Sequence, residues 1–134
     1  MQSFFKQKIN IILLLTVTVF MLFNIWNIIY NTPMVPEQHW AQKIFYVHVP
    51  SAWIGFLSYF VVMISGIMFF VKGNDYWDRV SLAAAEIGTI FISLVLITGP
   101  IWAIPIWGKP WTWEPRLTTT LIILSSVRKI DLIL

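Results

Sequence analysis

The residues best suited to hold a ligand lie in Trp107-Gly108-Lys109-Pro110-Trp111-Thr112-Trp113-Glu114-Pro115-Arg116-Leu117-Thr118, with Trp102 just ahead. Four of the eight tryptophans crowd into these positions. Pro105, Pro110 and Pro115 recur through them, and an interior proline clashes with the preceding helical turn and removes a donor. The stretch from 102 to 118 is therefore expected to be a loop. In extended backbone Trp111 and Trp113 project to one side, because side chains alternate with a period of two. Gly108, lacking a Cβ, lets the backbone come close to a flat partner. Lys109 and Arg116 stand beside the indoles, and arginine offers a fork to carboxylates. Such a shelf suits a large, flat, apolar and partly anionic ligand, and haem has that chemistry. The competing reading is anchoring, since tryptophans collect at membrane interfaces. That accounts for Trp26, Trp40, Trp53 and Trp77. Packing Trp107, Trp111 and Trp113 between glycine and prolines exceeds what anchoring asks, and aromatic faces give large contact area.

His48 is the second candidate. Pro50 is expected to open a helix, since proline at the first helical position has a preset dihedral and no donor to waste. That places His48 beside a helix N-terminus, whose positive dipole end disfavours the imidazolium. Neutral imidazole is the metal-ligating form, and a single histidine is a common axial ligand of haem iron. An interfacial histidine in a half-wet site is the other reading. Glu114 either orients an aromatic or a partner chain, pairs with Arg116, or is a solvated carboxylate. Lys109 and Arg116 either neutralise propionates or are ordinary loop charges. Glu86 falls about two turns into an apolar run, where a carboxylate is costly and often functional; it also has Arg79 and the interface within reach. His39 is expected at the surface. No serine–histidine–acid set, matched carboxylate pair, phosphate-cradling glycine loop or clustered metal ligands are visible. The chain is accordingly not expected to be an enzyme.

Composition dictates the setting of these residues. Hydrophobic residues make up 58% of the 134 positions, charged residues 11%, and mean hydropathy is +0.78. Soluble domains carry about a quarter charged residues, and runs of about 20 apolar residues read as membrane spans. The expected fold class is all-α: a polytopic transmembrane helical bundle with three full spans and a partial fourth, forming a single membrane domain over 1–134. The net charge of +3 does not argue for nucleic acid. Cysteine is absent, which excludes disulfides, thiolate metal sites and thioether attachment of haem. Any haem bound here is bound non-covalently, as a b-type group.

Lys6 and Lys8 precede a first span from about Ile9 to Tyr30, too long for a signal peptide and without a small-residue cleavage site after it. A polar connection runs from Asn31 to about Val47, its end amphipathic enough to lie along the surface. The second span is expected from Pro50 to Val71, with Ser51, Gly55 and Ser58 on one face, a small-residue pattern that lets membrane helices approach. A charged turn, Lys72 to Arg79, leads to a third span from Val80 to Ile101. A fourth run, Leu117 to Val127, is about 11 residues, or roughly 16 Å, half the hydrocarbon thickness. The chain is thus expected either to be an incomplete version of a longer protein or to end atypically. Lys6, Lys8, Lys72 and Arg79 fall on one side, and Lys43, Lys109 and Arg116 on the other. With Arg128 and Lys129 returning to the first side, the positive-inside rule puts His48 and the tryptophan loop on the outer face.

Trp107-Gly-x-x-Trp111-x-Trp113-Glu114-x-Arg116-Leu117-Thr118 resembles the tryptophan-rich signature of the haem-handling proteins of cytochrome c biogenesis. Phe45-Tyr46-Val47-His48-Val49-Pro50-Ser51-Ala52-Trp53 and Thr98-Gly99-Pro100-Ile101-Trp102 are similar to segments of one branch, the haem exporter protein C family of the multi-component (system I) pathway. The likeness covers about Trp40 to Thr120. It implies six spans, haem held at the outer face of the bacterial or mitochondrial inner membrane, and external histidines as axial ligands. It further implies a haem chaperone that receives the haem, and an ATP-driven ABC-type complex with a small membrane subunit as companions. His48 matches the first family histidine; Trp107, Gly108, Trp111, Trp113, Glu114 and Arg116 match the signature. The acidic position is more often aspartate in the family, and the chain ends before the second axial histidine is due.

The reading from sequence is a multi-pass helical membrane protein that positions haem on His48 and the tryptophan loop and hands it to a periplasmic or intermembrane chaperone. One rival is a transporter subunit, for which only Glu86, Thr89 and Ser93 offer a polar path. Another is a structural membrane subunit whose tryptophans only anchor it.

Overall fold

Four helices carry the chain: α1 (Gln2–Tyr30), α2 (Ala41–Lys72), α3 (Asp75–Trp107) and α4 (Pro115–Asp131). The computed structural model describes residues 2–131, with side chains from 7 to 126. The side chains of Lys6, Arg128 and Lys129, which enter the charge argument, lie outside the described residues. The described residues contain no strand. Residues 7–30, 41–72 and 75–107 are each long and apolar enough to cross a membrane, so the all-helical, three-span expectation holds. The chain forms two compact units, Met1–Val35 and Pro36–Leu134.

The first unit is α1. Two of its polar side chains bond to their own helix, as suits an apolar surround. Thr18 Oγ1 donates to the Leu14 carbonyl at 2.8 Å, and the Asn24 amide donates to the Phe20 carbonyl at 2.8 Å. Phe23, Trp26 and Tyr30 stack in sequence near its end, with centroids 6.2 and 5.9 Å apart.

In the second unit α2 and α3 form an antiparallel hairpin with a turn of Gly73 and Asn74. Gly73 takes the left-handed conformation (φ 60°) and donates its N–H to the Phe69 carbonyl at 2.8 Å. Asn74 then caps α3 by accepting from the Tyr76 N–H at 2.9 Å. These are the standard C-terminal and N-terminal stop signals. The helices meet along small residues. Ser51, Gly55, Ser58 and Ser65 of α2 are buried, as are Ala84, Ala85, Gly88 and Ile92 of α3. Large apolar side chains instead point outward, Phe70 being 89% exposed. This is an inside-out arrangement for water and the expected one for lipid, where helices associate by close packing.

The structure revises the boundaries of all three later helices, α3 already starting at Asp75 inside the turn expected over Lys72 to Arg79. The second helix begins at Ala41, so the surface segment expected before Val47 is its first two turns. Pro50 lies inside this helix, not at its start. The third helix continues to Trp107 with Pro100 and Pro105 inside it, so the loop expected over 102–118 is only 108–114. The fourth helix runs Pro115–Asp131, 17 residues, or roughly 26 Å against a hydrocarbon core of about 30 Å. In α2 and α3 an interior proline forfeits one backbone bond, but the turns on either side keep theirs, and the helices run on through Pro50, Pro100 and Pro105. The 32 residues of α2 reach roughly 48 Å, longer than the core. Counted back from Lys72, about 20 residues cross the hydrocarbon and end near Ala52; counted on from Arg79, they end near Gly99. His48 and the Trp102–Trp107 segment both extend beyond that level.

Candidate functional site

Where α2 and α3 emerge, they enclose a cavity of about 490 Å³ with the 108–114 loop and the start of α4. That size lies within the range of small-molecule sites, about 300–1,000 Å³. His48 and Phe45 line it from α2, and Trp102 and Trp107 from α3. Trp111 and Arg116 line it from the loop and α4. Phe56, Val95 and Leu96 close its deep end, and Lys109 stands at its rim.

His48 occupies the third turn of α2. The helix dipole acts mainly within the first turn, so the expected influence of a helix N-terminus on His48 does not apply. Instead its Nδ1 lies 2.9 Å from Thr98 Oγ1 on α3. Thr98 Oγ1 in turn lies 2.8 Å from the Leu94 carbonyl oxygen and 3.4 Å from that of Val95. A Cβ on Gly99 would stand 3.3 Å from His48 Cε1, so the imidazole rests on bare backbone.

The indoles stack edge to face in two pairs. Trp102 and Trp107 have centroids 5.0 Å apart at 82°, and Phe45 joins Trp102 at 6.3 Å. Trp111 and Trp113 have centroids 5.9 Å apart at 78°. Pro105 and the continued helix put Trp102 and Trp107 on helical backbone, more rigid than the loop expected for them. Trp111 faces the cavity while Trp113 is 78% exposed and lies outside the lining.

Gly108 has a role other than close approach to a ligand. It ends α3 in the left-handed region (φ 69°), its N–H donating to the Ile104 carbonyl at 2.9 Å, and a Cβ there would touch nothing within 4 Å. Glu114 is also outside the cavity; it pairs with Arg116 at 3.3 Å in an exposed bridge. Its backbone carbonyl accepts from the Thr118 N–H at 3.0 Å, opening α4.

Three polar atoms among the lining residues are buried without partners: Trp102 Nε1, Trp111 Nε1 and Thr112 Oγ1. Leaving such a donor unpaired costs about 1–3 kcal/mol, and each of the three is closed off by its own surroundings rather than open to the cavity. Trp102, Thr112, Phe45 and Thr98 carried no site role in the sequence reading. For Trp102 the signal was its place beside the cluster; for Thr98 nothing local marked a partner fifty residues away. Glu86, Thr89 and Ser93 do not line the cavity, and His39 sits in an exposed turn with φ 45°. Among the described residues no three histidine, cysteine or carboxylate side chains gather to hold a metal ion. A metal at this site would have to bring most of its ligands with it, as a porphyrin does.

The chain matches the family described as Heme exporter protein C over residues 1–126. It belongs to that family. The family likeness extends beyond the motif region to include α1. Among its relatives, a cytochrome c biosynthesis ccmC-like mitochondrial protein of Marchantia polymorpha is 38% identical over 95 residues, covering 71% of this chain and 42% of that protein. The Heme exporter protein C of Bradyrhizobium diazoefficiens is 35% identical over 98 residues, 71% of this chain and 37% of the relative. That of Escherichia coli K12 is 32% identical over 88 residues, 66% of this chain and 36% of the relative. The chain thus spans about two fifths of the length of these relatives. No solved structure matches it.

Proposed function

We propose that this chain is a membrane haem-handling protein of cytochrome c maturation that presents haem at the outer face of an inner membrane for transfer to a haem chaperone. The observation carrying this reading is the cavity itself, whose lining gathers one imidazole, four indoles and two cations. His48 would ligate the iron, and Trp102, Trp107 and Trp111 would flank the porphyrin. The propionates would be met by Lys109 and Arg116. The absence of cysteine makes the attachment non-covalent, of b type. A second axial ligand would come from outside this chain's cavity. The action we read here is positioning and hand-over of the porphyrin. The exposed Trp113 offers an anchor for the receiving chaperone, as exposed aromatics do at interfaces. Family membership supports an ABC-type haem-release complex and a small membrane subunit as further partners.

The test is haem titration of the purified chain in detergent, followed by its Soret band. A saturable band lost in His48→Ala supports the proposal. Equal affinity in wild type and His48→Ala, or no band at all, overturns it.

A further inference from the structure

We infer that Thr98 is a positioning residue for His48: its hydroxyl holds the imidazole as the Nδ1–H tautomer and leaves the lone pair on Nε2, the nitrogen that would face iron. The inference deepens the haem reading and rests on it for the identity of the metal.

The argument is a count of protons. A threonine hydroxyl has one proton and two lone pairs, and a neutral imidazole has one N–H and one lone pair. Thr98 Oγ1 has the Leu94 carbonyl oxygen at 2.8 Å and His48 Nδ1 at 2.9 Å. If the hydroxyl proton points to Leu94, Nδ1 must be the donor, and both contacts are hydrogen bonds. If the proton points to Nδ1, two oxygens face each other at 2.8 Å with no hydrogen between them. The first arrangement makes two bonds, and the second makes one bond and one repulsion. The first wins. A hydroxyl bonded back to its own helix is the usual state of threonine in an apolar helix, which further commits the proton.

The neighbouring residue packs against the same edge of the ring. Gly99 brings bare backbone against His48 Cε1, where a methyl would stand 3.3 Å away. Nδ1 is thus tied to α3, and the ring rests on the same helix one residue later. Ligating histidines generally donate their second ring N–H to an outer partner that sets tautomer and orientation. Here that partner is a side chain on a different span, so the α2–α3 packing itself sets the state of the ligand.

The experiment uses the full chain in detergent with ¹⁵N-labelled histidine. His48 is told apart from His39, the only other histidine, by the resonances missing in His48→Ala. Without haem, wild type is expected to show His48 as the Nδ1–H tautomer. Thr98→Val, of equal shape but without the hydroxyl, is expected to shift it toward Nε2–H and to weaken ferric haem binding about 10- to 100-fold. Thr98→Ser, which keeps the hydroxyl, is expected to restore both. An Nε2–H tautomer in wild type overturns the inference. So does a Thr98→Val chain that keeps both tautomer and affinity. Should Thr98→Val fail to fold, the wild-type tautomer still decides. Tight haem binding by His48→Ala sinks the haem reading separately, while the ligand-free tautomer continues to judge the Thr98 contact.

Discussion

Gly55 and Ile92 touch so closely that a Cβ on the glycine would lie 2.7 Å from Ile92 Cδ1 and 2.8 Å from Cγ1. Ile92 is fully buried (0% exposed) and has no free space to withdraw into. This contact sets how near α2 and α3 come, and two helical turns further out the same spacing brings His48 to Thr98. Gly55→Ala is therefore expected to destabilise the helix pair by about 1–3 kcal/mol, the usual cost of overpacking. Haem affinity should fall with it. Ile92→Val in the same chain should recover part of both, measured by thermal unfolding in detergent and by Soret titration. Additive losses in the double variant would refute the contact as the cause.

Trp111 and Trp113 differ in placement although two residues separate them. Trp111→Leu removes a cavity wall and should weaken haem binding about two- to tenfold, from the 0.5–1.5 kcal/mol of an aromatic contact. Trp113→Leu should leave haem affinity near wild type but slow transfer to an added haem chaperone, read by loss of the Soret signal from the membrane fraction. Equal effects of both substitutions on haem affinity would count against the cavity as the binding site.

Lys109 and Arg116 are exposed, and under the proposed function they would meet the ligand's carboxylates in water. Exposed ion pairs contribute about 0.2–1 kcal/mol. Lys109→Gln and Arg116→Gln are each expected to weaken haem binding by up to about fivefold at low salt. The difference should vanish in roughly 1 M salt, where the Debye length is about 3 Å. Haem dimethyl ester, lacking the charges, should bind all three proteins alike.

Gly108 separates two explanations of a glycine. Its φ of 69° has no steric neighbour within 4 Å, so the cost of a side chain there is conformational. Gly108→Ala should lose about 1–2 kcal/mol of stability, and Gly108→Asn less, since asparagine tolerates the left-handed region. If close approach of a ligand were the reason for the glycine, the bulkier asparagine would instead bind haem worst.

Much of the architecture was open to reading before any coordinates. Long apolar runs announce spans because lipid leaves the backbone no partner but itself. Ser51, Gly55 and Ser58, spaced four and three apart, marked the face of α2 that proves buried, since that spacing repeats on one side of a helix. The crowding of Trp107, Trp111 and Trp113 marked the region of the cavity. The prolines misled. Pro50, Pro100 and Pro105 look like boundaries because each forfeits one backbone bond, but the turns on either side keep theirs and the helices run on. Tertiary structure alone decided that Trp111 lines the cavity and Trp113 does not, and that Gly108 serves to end a helix. It alone paired His48 with Thr98 across fifty residues. Local sequence encodes which backbone conformation and which face are favourable. A hydrogen bond between two spans depends on their separation and rotation, and those are set by the sum of contacts such as Gly55 on Ile92.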